Sequence, residues 1–259
     1  MIDPFHLEAY GKTTVNYNRD VEVFPVLNAI FERIQGVSPY KSPTDMGVNM
    51  AGYCIVDDAA CCEASRQEII RRYYTTACLL KRGRAEQSAV NKIELLMSKA
   101  GITFDERPVV AAAAEVEAAT GKPAAAIQLP DGQIVTGKTS SLLGATAGML
   151  LNALKALGGV NKELDLLSKA VIEPIQDLKI NYLGSQNPRL HTDEILLALS
   201  ICAVTNPLAK LALEQLKKLR GCEAHATVIL SSVDERTLHK LGVNLTCEPK
   251  HESQNLYHN

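Results

Sequence analysis

The sequence predicts an α/β fold, with α+β as the alternative, in which a helix-rich first part precedes a small α/β domain. Residues 57–121 carry helical patterns almost throughout, and the patterns end at glycines. After Lys122, an Asp-Gly dipeptide between two apolar runs predicts a β-hairpin, and the chain closes with a strand–helix–strand pattern. We therefore divide the chain into residues 1–121, mainly helical with long loops, and residues 122–259, an α/β domain.

The first part begins with irregular sequence. Residues 1–55 contain one helical stretch, "VFPVLNAIFERIQG", whose apolar residues have helical spacing and which ends at Gly36. The segment "SPTDMGVNMAGY" is rich in turn-forming residues and predicts a long loop, which could close over a ligand or pack as a structural loop. Three helices follow, and a glycine ends each of them: Gly83, Gly101 and Gly121.

The second part begins with the hairpin, in which "AAAIQL" and "QIVTG" flank the Asp-Gly turn. The stretch "TSSLLGATAGMLLNALKALGG" then predicts a helix with Thr139 or Ser140 as its N-cap. Gly144 and Gly148 fall within this predicted helix, where each costs about 1 kcal/mol relative to Ala. We therefore expect another helix or the sheet to approach closely at these glycines.

Helical patterns continue towards the end of the chain. "NKELDLLSKAV" predicts a helix, and "IEPIQDLKINYLGSQNPRLH" predicts mostly loop. "TDEILLALSICAVT" predicts a helix capped by Thr192, and "NPLAKLALEQLKKLRG" predicts the next helix. The final strand, helix and strand are predicted in "HATVILSS", "VDERTLHKLG" and "VNLTCEP".

Composition excludes several classes of protein. The 259 residues are 46% apolar and 22% charged, which is typical of a globular chain. A net charge of −2 provides no basic surface for nucleic acid or an anionic membrane, and no apolar run is long enough to span a bilayer. The seven cysteines are irregularly spaced and no signal peptide is visible, so we expect reduced thiols, a cytoplasmic location and no metal site.

Residues 132–139 match the P-loop pattern G-x-x-x-x-G-K-[ST] letter by letter. The interior, "QIVT", contains β-branched residues that favour an extended backbone, so we interpret the match as the second strand of the hairpin. A weaker hypothesis remains, because Lys138, Thr139 and Ser140 lie where a strand runs into a helix N-terminus. They could bind a phosphate or nucleotide there, or they could only cap the helix. Beyond such a ligand, the cofactor is unknown.

The segment "NPRLHTDE" places Arg189 and His191 directly before an acidic helix start. A histidine beside carboxylates can perform acid–base chemistry, because imidazole titrates near neutral pH, and Arg189 can bind an anion. The alternative is that Thr192 and the two acidic residues cap the helix while His191 only fixes the loop.

The segment "RGCEAH" places Cys222, Glu223 and His225 beside a predicted strand. Cysteine and histidine at this spacing could be a nucleophile and its base, or two metal ligands. On a strand, however, Cys222 and His225 point to opposite faces, and no Cys-x-x-Cys pair accompanies them. A catalytic or binding role, or a purely structural one, remains open for these residues.

Several long stretches resemble the later half of a bacterial family called domain of unknown function eighteen forty-six. The resemblance covers essentially the whole chain and is carried by "MIDPFHLEAYGKTTVNYNRDVEVFPVLNAIFERI", "SPYKSPTDMGVNMAGY", "LPDGQIVTGKTS", "NPRLHTDEILLALSICA" and "RGCEAHATVILS". It implies that this chain lacks the family's N-terminal half, which resembles a nucleotide-binding domain. It implies no catalytic residues, because the family has no assigned reaction.

These observations predict the C-terminal part of an uncharacterised cytoplasmic bacterial protein. The first hypothesis is an enzyme that binds a phosphorylated or carboxylated small molecule, with catalytic candidates His191, Cys222, Glu223 and His225 and anion-binding candidates Lys138, Thr139, Ser140 and Arg189. The alternative is a non-catalytic module for oligomerisation or for docking the missing N-terminal half. Apolar surface left uncovered by that half favours self-association, so we expect a homo-oligomer, with neither nucleic acid nor membrane as a partner. Convergence of the three candidate segments on one pocket would favour the enzyme.

Overall fold

The computed structural model describes the backbone of residues 18–38 and 58–252, and the side chains of residues 26–38 and 63–252. The predicted loop "SPTDMGVNMAGY" lies outside the described residues. Contacts between α carbons divide the chain into two compact units, Met1–Glu106 and Arg107–Asn259.

The first unit is helical in its described residues. Ile70 and Leu96 are buried between its helices, and Gly101 ends the third helix in the left-handed conformation, with φ of 62°. Arg66 fixes the following turn through a bidentate ion pair with Glu106 at 2.5 and 2.6 Å. The elements are α1 (Asn18–Gln35), α2 (Asp58–Lys81), α3 (Gln87–Ala100) and a 3₁₀ turn (Phe104–Glu106).

The second unit contains a four-stranded mixed sheet with the strand order β2-β1-β3-β4. Strand β1 is antiparallel to β2 and to β3, whereas β3 and β4 are parallel and joined through a helix. The predicted α/β class, the hairpin and the β-α-β end are therefore confirmed. The elements are α4 (Pro108–Thr120), β1 (Ala124–Gln128), β2 (Ile134–Lys138), α5 (Ala145–Leu157), α6 (Lys169–Asp177), α7 (Thr192–Cys202), α8 (Pro207–Glu214), β3 (Glu223–Ala226), α9 (Ser232–Lys240) and β4 (Asn244–Cys247).

Helices cover both faces of the hairpin. Ala126 on β1 packs against Val109 and Ala113 of α4. Its neighbour Ala125 points to the opposite face, where its cross-strand partner Gly137 meets α5. Because both faces are covered, the first four residues of β1 are fully buried, and their small alanine side chains let the helices approach closely.

The close approach expected at the glycines of α5 is present. A Cβ atom added to Gly137 would lie 2.1 Å from the Met149 nitrogen, so the strand can pass beneath the helix only with glycine there. Gly148 lies on the other side of this contact, where an added Cβ would meet the Lys138 carbonyl oxygen at 3.6 Å. Gly144 is the N-cap of α5 rather than an interior residue.

Two predicted N-caps are wrong, and the helix predicted in "NKELDLLSKAV" begins only at Lys169. Helix α5 begins at Ala145 and is not capped by Thr139 or Ser140, because Ser140 instead closes a turn that precedes the helix. The Ser140 hydroxyl accepts hydrogen bonds from the N–H groups of Leu142, at 3.2 Å, and Leu143, at 3.0 Å. Helix α7 has His191 as its N-cap instead of Thr192, since the Thr192 N–H donates to Asp234.

Two further differences concern the extent of elements. Part of the predicted loop after Val171 is helix α6, which contains Pro174 and continues into a π-helical turn, Leu178–Tyr182. The contacts divide the chain after Glu106, whereas the sequence pattern changes at Lys122. Helix α4 accounts for this difference, because it packs on strands β1, β2 and β3.

Candidate functional site

The segment that matches the P-loop pattern is the turn and second strand of the hairpin. Gly132 has φ of 85° in the turn, and the Leu129 N–H donates to the Gln133 carbonyl at 2.8 Å. Strand β2 then pairs with β1 along its whole length. An extended strand does not turn successive N–H groups inward around a phosphate, so the geometry is that of a hairpin and not of a P-loop.

The predicted anion ligands Lys138, Thr139 and Ser140 follow this strand. Lys138 is exposed, whereas Thr139 is buried and its N–H donates to the Pro123 carbonyl at 2.8 Å. The Ser140 N–H donates to the Leu143 carbonyl at 2.9 Å. The backbone donors on which the anion hypothesis relied are therefore used within the protein, and only the Lys138 side chain extends into solvent.

His191 and Asp234 form a hydrogen-bonded pair where two helices begin. The His191 Nδ1 lies 2.8 Å from an Asp234 carboxylate oxygen, which also accepts the Ser231 hydroxyl at 2.8 Å. The other oxygen of Asp234 accepts the Thr192 N–H at 2.8 Å. Asp234 thus lies in the first turn of α9 and at the N-terminus of α7, where both helix dipoles favour a negative charge.

The pKa values of His191 and Asp234 are shifted in opposite directions from their ordinary values. The hydrogen bond that His191 donates to Asp234 raises the pKa of His191 above its ordinary 6.5, against the opposing effects of partial burial and of the Lys179 charge. Burial by itself raises the pKa of Asp234, but the hydrogen bond and charge of His191 outweigh it and hold that pKa below 3.8. Both shifts favour an imidazolium–carboxylate ion pair.

The side chains of His191 and Arg189 are both partly exposed. Leu190 between them is fully buried and makes an isolated β-bridge with Leu143, and His191 has an extended backbone. Alternate side chains on extended backbone point to opposite sides, so Arg189 and His191 share the outer side. Their side chains are 31% and 27% exposed, and the Arg189 guanidinium donates to Glu252 at 2.5 Å.

Lys179 and Glu194 fix the backbone of this loop. The Lys179 ammonium donates to the Arg189 carbonyl at 2.7 Å and to a Glu194 carboxylate oxygen at 2.8 Å. The same oxygen of Glu194 accepts the His191 N–H at 2.7 Å. The backbone on both sides of the buried leucine is therefore held by one ion pair.

Two of the three candidate segments lie side by side. The Gly144 N–H donates to the Leu190 carbonyl at 3.2 Å, and the Leu190 N–H donates to the Leu142 carbonyl at 2.9 Å. The Gln176 side chain bridges the same segments through the carbonyls of Ser141, at 3.0 Å, and Pro188, at 3.1 Å. The end of "GKTSSLLG" and the start of "RLHTDE" thus form one structure.

The third segment contributes to a buried polar cluster on β3 and β4. The fully buried Arg107 guanidinium pairs with Glu223, donates to Thr246 at 3.1 Å and also donates to two strand carbonyls, at 2.9 and 2.7 Å. His225 is 1% exposed, with Nδ1 2.9 Å from the Thr246 hydroxyl and Nε2 3.4 Å from Glu248. Burial lowers the pKa of His225 despite the carboxylate. This environment suits a neutral structural histidine.

Cys222 has the properties of a structural thiol. It is buried, and it donates to the Lys218 carbonyl at 3.5 Å. Burial raises its pKa to about 11, so little thiolate exists near neutral pH. Within residues 18–38 and 58–252, no group of three or more His, Cys, Asp or Glu side chains is arranged to hold a metal ion.

The sequence predicts Arg189 and His191 as site candidates, but it gives no signal for their neighbours Asp234 and Lys179. Asp234 is 43 residues from His191, and the sequence around it indicates only an acidic first helical turn. Lys179 falls in a segment predicted to be loop. A buried lysine cannot be distinguished from a solvated one by sequence pattern.

Two family models match this chain. "Domain of unknown function DUF1846, C-terminal" matches residues 105–257, and "Domain of unknown function DUF1846, N-terminal" matches residues 1–101. The chain belongs to this family. One part of the expected resemblance is wrong, because the chain matches both family domains and not the later half alone.

Streptococcal proteins are close in sequence. A UPF0371 protein of Streptococcus pyogenes serotype M5 (strain Manfredo) is 58% identical over 257 residues, which are 99% of this chain and 52% of that protein. A UPF0371 protein of Streptococcus equi subsp. equi (strain 4047) is 56% identical with the same coverage. The chain spans about half the length of the curated relatives it matches. Among the described helices, none is both long and apolar enough to cross a membrane.

Proposed function

We propose that the second unit of this DUF1846-family chain carries an acid–base site for a phosphorylated or carboxylated small molecule. His191 exchanges the proton and Arg189 binds the anionic group. The observation that carries the proposal is the orientation of His191, whose Nδ1 is engaged by Asp234 while Nε2 has no hydrogen-bond partner among the described residues.

The pair with Asp234 prepares His191 for proton transfer. A carboxylate that accepts the Nδ1 proton fixes the ring orientation and leaves Nε2 as the nitrogen that gains or loses a proton. Because the pKa of His191 is raised, its imidazolium form extends to higher pH, where Nε2 can donate a hydrogen bond to an anion. Asp234 stays ionised because its own pKa is lowered.

Arg189 adds the geometry that an anion requires. A guanidinium has five N–H donors, and in Arg189 one nitrogen contacts Glu252. The other donors can bind a carboxylate or phosphate side by side. Glu223 and His225 are left out of this site because they belong to the buried cluster on β3 and β4, and Cys222 is left out because it is a buried thiol that donates to the Lys218 carbonyl. We also propose that the protein is cytoplasmic and that it cooperates with a part equivalent to the remainder of the longer relatives.

The test measures the binding of inorganic phosphate, sugar phosphates and citrate by NMR and by isothermal titration calorimetry. We expect shifts at the Arg189 and His191 side chains, and about tenfold weaker binding in Arg189→Gln, the loss typical of one charge-assisted hydrogen bond. Arg236→Gln is the matched control, since Arg236 is exposed on α9. No binding of any of these anions, or equal weakening in both variants, would contradict the proposal.

We propose as a second candidate that the unit also serves self-association. The carrying observation is an apolar face on α7, α8 and their connection, which we call the α7–α8 face. Leu197, Ile201 and Val204 are 66%, 72% and 83% exposed, and Leu208 and Leu211 are each 38% exposed. Together they expose apolar surface on the order of 500 Å², the size at which such patches mark interaction sites.

A second copy of this chain is the occupant that fits this face. A two-fold contact buries the same face on both copies, which brings the total to about 1,000 Å², the minimum for a specific interface. Lys210 and Glu214 are exposed one helical turn apart on α8, so the face carries complementary charges of its own.

Light scattering after size-exclusion chromatography tests this contact. We expect a dimer of the 28.1-kDa chain that dissociates in Ile201→Glu. Leu183→Glu is the matched control, because Leu183 and Ile201 are both 72% exposed, and this variant should remain dimeric. A monomeric parent protein, or dissociation in the control as well, would contradict a dimer through the α7–α8 face.

A further inference from the structure

A π-helical turn lies directly beneath the loop that presents Arg189 and His191. The turn, Leu178–Tyr182, follows α6, and the Leu183 N–H donates to the Leu178 carbonyl at 3.0 Å in the wider π pattern. Such turns inside helices occur frequently at functional sites. In this protein the turn carries Lys179, whose side chain is 9% exposed.

The Lys179 ammonium contacts both ends of the presenting loop. It reaches the backbone before Leu190 directly, through the Arg189 carbonyl at 2.7 Å. It reaches the backbone after Leu190 through Glu194, whose carboxylate oxygen receives Lys179 at 2.8 Å and the His191 N–H at 2.7 Å. These three bonds fix the separation between the backbones of Arg189 and His191, from which the two side chains extend.

We propose that Lys179 is the positioning residue of the anion site, holding Arg189 and His191 at the separation at which both can contact one anionic group. The inference rests on the proposed function of that site. Lys179 itself does not touch the ligand, because its ammonium lies on the inner side of the loop. The ligand class that follows is a compact anion, a phosphate or carboxylate group small enough to be shared by one guanidinium and one imidazolium.

The charge of Lys179 is also part of the environment of His191. Three charged groups act on the imidazole: Asp234 from α9 and Glu194 from α7 raise its pKa, and Lys179 from the π turn lowers it. Removing the lysine charge should therefore raise the pKa of His191. Removing the Glu194 charge should lower the pKa of His191. The two halves of the Lys179–Glu194 ion pair therefore give variants with opposite expected shifts of this pKa.

The experiment compares Lys179→Met with Lys169→Met, an exposed control on the preceding helix α6. Inorganic phosphate binding is measured by calorimetry, and the His191 ring is titrated by NMR. We expect about tenfold weaker phosphate binding in Lys179→Met, as for loss of one positioned charge-assisted bond, together with a higher pKa of His191. The control should match the parent protein in both.

The outcomes separate this inference from the proposed function. A parent protein that does not bind phosphate contradicts the proposed site. A parent protein that binds, with unchanged affinity and unchanged His191 titration in Lys179→Met, contradicts only the role of Lys179. If Lys179→Met does not fold, Glu194→Gln replaces it, and weaker phosphate binding with a lower pKa of His191 is then expected; unchanged values would overturn the inference.

Discussion

The loop before α7 and the edge formed by β3 and β4 each hold a histidine beside a carboxylate, yet the two regions differ in every property that matters for chemistry. His191 lies 2.8 Å from Asp234 and is 27% exposed, and its pKa is raised. His225 lies 3.4 Å from Glu248 and is 1% exposed, and its pKa is lowered. A carboxylate neighbour alone therefore does not make a histidine reactive.

Burial and direction of the ring decide between the two roles. In the β3–β4 region, burial outweighs the distant carboxylate, and the nearby Arg107 charge acts in the same direction as burial. In the loop before α7, the close carboxylate outweighs partial burial, and the His191 side chain remains 27% exposed. The first region stabilises the fold, and the second is the one that we propose to act on a ligand.

The largest effect is expected when the β3–β4 cluster is broken. Arg107→Met removes a fully buried cation, its ion pair with Glu223 and its hydrogen bonds to two strand carbonyls. We expect a loss of about 3–5 kcal/mol in the free energy of unfolding, as for other broken buried ion pairs. Urea denaturation measures it, and the exposed Arg236→Met should change stability by less than about 0.5 kcal/mol. Equal effects of the two substitutions would show that the cluster is not structural.

Breaking the other pair should cost less. Asp234→Asn removes the charge that holds His191 and that lies at two helix N-termini, and we expect a loss of about 2 kcal/mol. The pKa of His191 should fall at the same time. The exposed Asp165→Asn is the control for loss of a negative charge. An unchanged His191 titration in Asp234→Asn would remove the basis of the proposed pair.

The smallest effects should be opposite in sign for the two histidines. The raised pKa of His191 adds stability that is complete below pH 6.5 and is lost as the pH rises through the folded-state pKa. The lowered pKa of His225 adds stability that is complete above pH 6.5 and is lost as the pH falls through its folded-state pKa.

Unfolding free energies of His191→Gln and His225→Gln, measured from pH 5 to pH 9, test these signs. In His191→Gln, the free energy of unfolding should no longer decline as the pH rises above neutrality. In His225→Gln, it should no longer decline as the pH falls. His239→Gln, an exposed substitution on α9, should retain both. If both variants changed the pH dependence of the unfolding free energy in the same way, the opposite behaviour expected of His191 and His225 would be contradicted.

Much of the fold could be predicted because it is encoded locally. The Asp-Gly turn, the glycines that end α3 and α4, and the close approach at Gly148 each follow from a few neighbouring residues. The start of α5 could not be predicted in this way, since Ser140 has the chemistry of an N-cap and uses it in the preceding turn. The part of helix α6 after Val171 falls in the predicted loop, and it contains Pro174, a residue that usually interrupts a helix but here lies within one.

The site was half predictable for the same reason. Arg189 and His191 are neighbours in sequence, and their chemistry is visible there. The partners that distinguish His191 from His225 come from distant segments: Asp234 from 43 residues away, and Arg107, which contacts Thr246 across 139 residues. Only the fold shows that the sequence-predicted candidates Glu223 and His225 belong to a buried cluster and that Cys222 is buried beside it in sequence.

The most direct measurement is a pH titration of the two imidazoles by ¹H–¹⁵N NMR, with each signal assigned from its Gln variant. The account predicts that His191 titrates above pH 6.5 and moves when inorganic phosphate is added, and that His225 titrates below pH 6.5 and does not respond to phosphate. A reversed order of the two midpoints, or a phosphate response at His225 alone, would contradict the assignment of the ligand site to the loop before α7.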